Sequence, residues 1–220
     1  MIKLKEYDEE EFSRVNEQVA KTSPMSKHYN SNNAFEARLF NKKRSIIANL
    51  LQDSGAKSVV DVGCGDGGLA EILQFKKIKY FGIDVSKTQI GFAKNSIKNS
   101  SFTFIVGDAA KMKLKENSFD AAICTDVIEH VREPLAVFEN LKRIVKSSGL
   151  IILSIPNEYL WCLARLALLR FPLHSPDHLN AMFPSDIKRH FKNVKKTIHL
   201  PFNTTFHTSL MSIFVICNDK

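Results

Sequence analysis

The residues with most chemistry to offer stand together in Val59-Val60-Asp61-Val62-Gly63-Cys64-Gly65-Asp66-Gly67-Gly68. An apolar run enters a glycine-dense turn there, and helix-like sequence follows. Glycines at 63, 65 and 67 let the backbone bend sharply and leave no Cβ between it and a ligand. Gly63-x-Gly65-x-x-Gly68 also meets the spacing of a dinucleotide-binding turn, although glycine turns without a ligand meet it too.

Three acids narrow the chemistry. Asp84 closes the next apolar run, Tyr80-Phe81-Gly82-Ile83-Asp84, where a carboxylate can accept both hydroxyls of a ribose. Asp108 closes Phe104-Ile105-Val106-Gly107-Asp108, placed to accept a hydrogen bond from an exocyclic amine such as that of adenine. Asp61 sits at the end of the first run. In an open α/β sheet the carboxyl ends of the strands share one crevice, so the three acids point at one place. A diphosphate prefers a helix N-terminus free of carboxylates. Here the turn carries Asp61 and Asp66 and no compensating Arg or Lys. The ligand implied is a nucleoside bearing positive charge.

The elements that must position these groups follow from periodicity. Strands are expected at Ser58–Val62, Lys79–Asp84, Phe102–Val106, Ala121–Thr125 and Leu150–Ile155, with helices near Gly68–Gln74, Lys87–Lys98 and Glu133–Val145. Continuous apolar strands alternating with crossover helices give a parallel sheet covered on both faces. Upstream, a short acidic helix, a Ser/Asn/Lys-rich connector and a helix over Ala34–Leu51 capped by Asn33 are expected. Downstream, Asn157–Leu169 and Pro184–Phe191 are helical. The runs Val194–Leu200 and Leu210–Cys217 are joined too briefly for a crossover, so they pair antiparallel. The fold class is α/β, doubly wound and Rossmann-like. It has a mostly parallel seven-stranded sheet with an antiparallel terminal hairpin strand, and helices on both faces. The reading is one domain over 1–220: a helical cap (1–52), a cofactor-binding core (53–157) and a substrate-side cover with closing strands (158–220).

Composition excludes several classes. Of 220 residues 44% are hydrophobic and 25% charged, enough for a core and too apolar for disorder. The net charge of +8 comes from 23 Lys and only 8 Arg, which permits an anionic partner without arguing for one. The basic run Lys188, Arg189, His190, Lys192, Lys195, Lys196 lacks interleaved aromatic residues and reads as a solvated face. Four cysteines without C-x-x-C spacing suit free thiols in a reducing compartment. With no signal-peptide core and no apolar stretch of about 18 residues, a cytoplasmic location is expected.

With those residues in view, the sequence resembles the class I S-adenosylmethionine-dependent methyltransferases, in the small-molecule branch that includes enzymes of quinone biosynthesis. VVDVGCGDG, YFGIDVS, FIVGDAAKM, NSFDAAICTDVIEHV and LKRIVKSSGLIILSIPN resemble the family's motifs in unbroken order over about residues 55–157. The resemblance implies S-adenosylmethionine as cofactor and S-adenosylhomocysteine as product. It implies that Asp61, Gly63, Cys64 and Gly65 surround the methionine part, with Gly67 completing the turn. Asp84 would hold the ribose, with Val85 and Ser86 beside the adenine, and Asp108 and Ala109 would meet the adenine amine and ring. Thr125 and Asp126 would floor the pocket near the sulfonium. Tyr29 and Arg44 lie where relatives supply a lid aromatic and an Arg for the cofactor carboxylate.

Methyl transfer from a sulfonium needs an aligned acceptor and, for a protonated one, a base. His130, in Asp126-Val127-Ile128-Glu129-His130, is the candidate base. The apolar segment from Glu158 to Leu173, with Tyr159 and Trp161, is expected to line an apolar acceptor pocket. Ordinary core, a dimer face and peripheral membrane contact are its alternatives. His178, in Asp177-His178-Leu179-Asn180, is a substrate-facing candidate. The acceptor expected is small and apolar or aromatic, methylated at oxygen or carbon, in a monomer or homodimer.

Other readings remain at this point. Asp126, Glu129 and His130 with His174 or His178 resemble the metal-dependent terminal 2′-O-methyltransferases of small RNAs, but with Asp first and no Arg-rich groove, so no metal is assigned. A nicotinamide oxidoreductase would use the literal glycine spacing. A methyltransferase-like fold kept only to bind a partner is the non-enzymatic option.

Overall fold

The computed structural model describes residues 1–22, 29–31, 33–167, 169 and 177–220. A seven-stranded sheet is built from β2 (Ser58–Val62), β3 (Lys79–Asp84), β4 (Phe102–Val106), β5 (Phe119–Thr125), β6 (Val145–Pro156), β8 (Val194–Leu200) and β9 (Met211–Cys217). Its spatial order is β4-β3-β2-β5-β6-β9-β8. The first five of these are parallel, whereas β9 runs antiparallel to both β6 and β8. The hairpin expected from the last two runs is present. Its reversed strand is not at the edge, because β9 fills the slot between β6 and β8. A separate two-stranded ribbon pairs β1 (Ile2–Lys3) with β7 (Asn180–Ala181).

The central strands β2, β5 and β9 bury both faces because alternate residues feed two cores. Val59 and Tyr80 join the core formed with α2 (Ala34–Asp53), α3 (Gly68–Leu73) and α4 (Lys87–Ser96). Val60, Val62 and Cys124 join the opposite core, under α5 (Pro134–Ile144) and α7 (Pro184–His190). Helix α5 begins with Pro134 in its first turn and buries Val137, Phe138, Leu141 and Ile144 on one stripe. Each such aromatic or aliphatic side chain contributes roughly 1.5–3 kcal/mol on burial. Asn33 caps α2, its side chain accepting from Phe35 N and Glu36 N.

Two further helices frame the site, α1 (Glu9–Thr22) and α6 (Glu158–Ala167). The connector residues 23–28 and 32, residues 168 and 170–173 of the apolar segment, and His174 lie outside the described residues. Strand β6 starts at Val145, five residues earlier than the apolar pattern suggests, because Val145 pairs with Phe119 at a bulge before the main ladder begins. The cysteines are free; Cys64 and Cys124 are buried, and Cys162 and Cys217 half-buried.

Candidate functional site

The chain leaves β2 towards β3 and β4, then returns to β5 on the other side of β2. That reversal opens a crevice at the carboxyl ends of β2 and β5, and the glycine turn lies in it. Gly63, Gly65 and Gly67 all adopt positive φ, at 77°, 55° and 86°. A Cβ at Gly63 would overlap Val127 Cγ2, so this glycine also lets the turn close on the loop after β5. The turn spends its own amides. Gly63 N and Cys64 N donate to Ile83 O, Gly67 N donates to Cys64 O, and Gly65 N donates to Asp84 Oδ2 at 2.9 Å.

The acids converge. Asp61 is buried and accepts from the Tyr80 hydroxyl. Burial pushes its carboxyl from the ordinary 3.8 up to about 7, against the lowering effect of that hydrogen bond. Asp84 accepts from Ser86 N at 2.9 Å as well as from Gly65 N, and burial raises it in spite of both amides. Asp126 has φ 55° and accepts from Ser154 Oγ at 2.8 Å. It also pairs with the buried ammonium of Lys43, whose charge holds the carboxyl below its ordinary range despite burial. Thr125 stands half-buried beside it.

Asp108 lies two residues past β4 and caps the 3-10 turn Ala109–Lys111, accepting from Ala110 N at 2.8 Å. Ser86 caps α4 through Gln89 N at 3.2 Å. Val85 and Val106 present exposed apolar surface, 37% and 45%, at the ends of β3 and β4. Tyr29 covers the turn; its ring occupies the space a Cβ at Gly68 would need. Arg44 stacks on Tyr29, with Cζ 3.9 Å from the ring centroid, and donates to Gly68 O at 2.7 Å and Asn41 Oδ1 at 2.8 Å.

Sequence reasoning missed Lys43, Tyr80 and Ser154. Lys43 had a signal, since Leu39, Lys43, Ile47 and Leu51 recur every four residues on the buried stripe of α2.

A histidine cluster adjoins the acids. His130 Nδ1 lies 3.0 Å from Asp177 O, a contact that places its proton on Nδ1 and leaves Nε2 basic. His130 and His178 rings meet edge-on at 4.6 Å, and His178 Nδ1 lies 2.6 Å from Glu158 Oε1. Glu129 is buried, and burial raises its carboxyl to about 8. One ligating atom each from Glu129, His130 and His178 lies within 4.8 Å of the others, a set that could hold a cation, although both imidazoles already have protein partners. Tyr159 is exposed, its ring 6.1 Å from Phe183, whereas Trp161 leans on the core.

The fold is doubly wound with a crevice at the carboxyl ends of β2 and β5, and residues 60–153 match the family model described as a methyltransferase domain. That segment holds the glycine turn together with Asp61, Asp84, Asp108 and Asp126. The chain is similar to a ubiquinone biosynthesis O-methyltransferase of Dechloromonas aromatica, 31% identical over 60% of this chain and 61% of that one. It is similar also to a sterol 24-C-methyltransferase of Gibberella zeae, 32% identical over 42% of this chain and 26% of that one. In both cases the match spans less than two thirds of the relative. Among solved structures, magnesium protoporphyrin IX methyltransferase of Synechocystis PCC 6803 with bound SAH superposes with TM-score 0.71 at 18% identity, covering 94% of this chain and 99% of that one. Among the described residues, no helix is long and apolar enough to cross a membrane.

Proposed function

We propose that the chain transfers the methyl group of S-adenosylmethionine to a small apolar or aromatic acceptor, at oxygen or carbon. One observation carries this reading: Asp61, Asp84 and Asp126 surround a glycine turn whose amides at 63, 64, 65 and 67 are engaged. Such a cradle suits a cationic nucleoside and repels a diphosphate. Asp84 would hold the ribose, Val85 and Asp108 would flank the adenine, and Asp61 and Asp126 would face the positively charged end.

When bound, the cofactor supplies the electrophilic methyl group. The protein aligns the acceptor with it, excludes water and removes a proton where the acceptor carries one. His130 fits that last task through Nε2, with Asp177 O fixing the tautomer. On the acceptor side, His178 is held by Glu158, and α6 offers Leu163 and Leu166 as exposed apolar side chains. These support an apolar acceptor, and they suit one drawn from a lipid surface through peripheral contact.

The deciding test is thermal stabilisation by S-adenosylmethionine, S-adenosylhomocysteine and NAD in parallel. A ligand at about 100 Kd stabilises the native state by ~2.7 kcal/mol. The first two are expected to raise the midpoint and NAD to leave it unchanged; a shift with NAD alone would reverse the reading.

A further inference from the structure

Helix α6 carries both of its charges on one stripe. Glu158, Cys162 and Arg165 follow one another at four and three residues, which sets them within about 60° around the helix axis. Glu158 is buried and meets His178, so this stripe borders the histidine cluster. Burial raises the Cys162 thiol, the Glu158 charge raises it further and the Arg165 charge lowers it, so both charges act along the stripe. The exposed Tyr159, Leu163 and Leu166 are turned about 100° or more from Arg165.

Arg44, Arg143 and Arg165 are the half-buried arginines among the described residues. Arg44 leaves Nε idle, but its Nη groups donate to Gly68 O and Asn41 Oδ1. Those of Arg143 donate to Leu114 O, Met112 O and Asn140 Oδ1. Arg165 makes no hydrogen bond or ion pair among the described residues, and its Nε is sealed from water without an acceptor. A guanidinium holds five N–H donors in a flat fork that the two oxygens of a carboxylate match. Leaving that fork idle on an apolar helix is unfavourable until a ligand supplies the oxygens. The acid on the stripe, Glu158, is already taken by His178.

We propose that Arg165 receives a carboxylate carried by the methyl acceptor, so that the site selects amphipathic acids with an apolar body and one anionic end. This rests on the methyl-transfer reading above. Arg165 stands seven residues beyond Glu158, about 10 Å along the helix, and helical side chains lean back towards the N-terminus. The anionic end therefore lies within one small-molecule length of His130 and His178. A lipid headgroup fits less well, because the exposed leucines that would meet a membrane point away from Arg165.

The test titrates the full chain, in the presence of S-adenosylhomocysteine, with 4-hexylbenzoate and with 4-hexylbenzamide, which share a shape and differ in charge. Trp161, the one tryptophan of the chain, lies a turn before Arg165, and its fluorescence reads binding. Wild type is expected to bind the carboxylate at least tenfold more tightly than the amide. Arg165→Met is expected to bring the two within threefold by weakening the carboxylate alone. Arg165→Lys, which keeps the charge without the fork, is expected to fall between, and it carries the comparison if Arg165→Met does not fold. A wild type that binds neither probe or both alike, or a preference that survives Arg165→Met, overturns the role of Arg165. Equal weakening of both probes overturns it too, as the mark of a purely structural part. If Arg165→Met keeps the preference yet lowers cosedimentation with phosphatidylglycerol vesicles, the guanidinium serves a lipid headgroup instead. Failure of S-adenosylhomocysteine to bind wild type in calorimetry would overturn the cofactor reading, and this inference with it.

Discussion

The Tyr80 hydroxyl donates to the Asp61 carboxylate from the neighbouring strand, while the Tyr80 ring stacks on Phe102 with centroids 4.9 Å apart. One aromatic side chain thereby ties the aromatic packing of β3 and β4 to the first acid of the crevice. Asp61 is fixed in place, and burial raises its carboxyl to about 7.

That arrangement has a pH signature. Asp61 rises from 3.8 to about 7 and Glu129 from 4.5 to about 8, so the folded state holds protons that the unfolded chain has lost. Stability therefore falls as pH climbs through the interval from about 4 to 8, by at most about 1.4 kcal/mol per unit for each group. Burial is the largest single influence on Asp120 and raises it, but the Lys146, Lys57 and Ser58 hydrogen bonds together outweigh it and hold the carboxyl below its ordinary range, so its contribution is lost only in acid, below that interval. Urea denaturation of wild type and Asp61→Asn between pH 5 and 8.5 is expected to give a flatter slope for the variant.

Asp84→Asn is expected to weaken S-adenosylhomocysteine binding by about 100-fold, the loss of charge-assisted hydrogen bonds of roughly 1.5–3 kcal/mol each. Gly65 N and Ser86 N use separate oxygens of Asp84 and Asn keeps one acceptor, so one amide loses its partner, and a wild-type circular-dichroism spectrum is the check that the fold is retained.

Gly63→Ala places a Cβ on Val127 at a backbone φ of 77°. Strain and overpacking together are expected to cost about 2–4 kcal/mol. The urea midpoint should drop with an unchanged slope; an unchanged midpoint would mean the turn relaxes at no cost.

His130→Gln should lower kcat by roughly 100-fold or more for a hydroxyl acceptor while leaving cofactor affinity within threefold. Loss of the acid limb of the kcat profile would accompany it if Nε2 is the base. A carbon acceptor with no proton to lose before transfer would show a far smaller effect.

Much of this was legible in the chain itself. Asp61 and Asp84 announce themselves because each ends an apolar run, and Gly63 because a strand stops at it. Lys43 did not, since Lys42-Lys43-Arg44 looks like a solvated face until the four-residue spacing from Leu39 to Leu51 is traced. Two-residue strands such as β1 and β7 carry no period at all, and their pairing joins residues 2 and 181 across most of the chain. The position of β9 was equally hidden: pairing two runs as a hairpin does not say which one lies against β6.

That position has a consequence for biogenesis. Met211–Cys217 is the last strand in chain order, yet it occupies an interior slot with a full ladder to β6 on one side and β8 on the other. Until those residues have left the ribosome, β6 presents an unsatisfied edge from Leu150 to Pro156, flanked by fully apolar side chains such as Ile151, Ile152 and Leu153. The nascent chain thus carries this apolar edge until Met211–Cys217 emerges, and loss of those residues would make that hazard permanent.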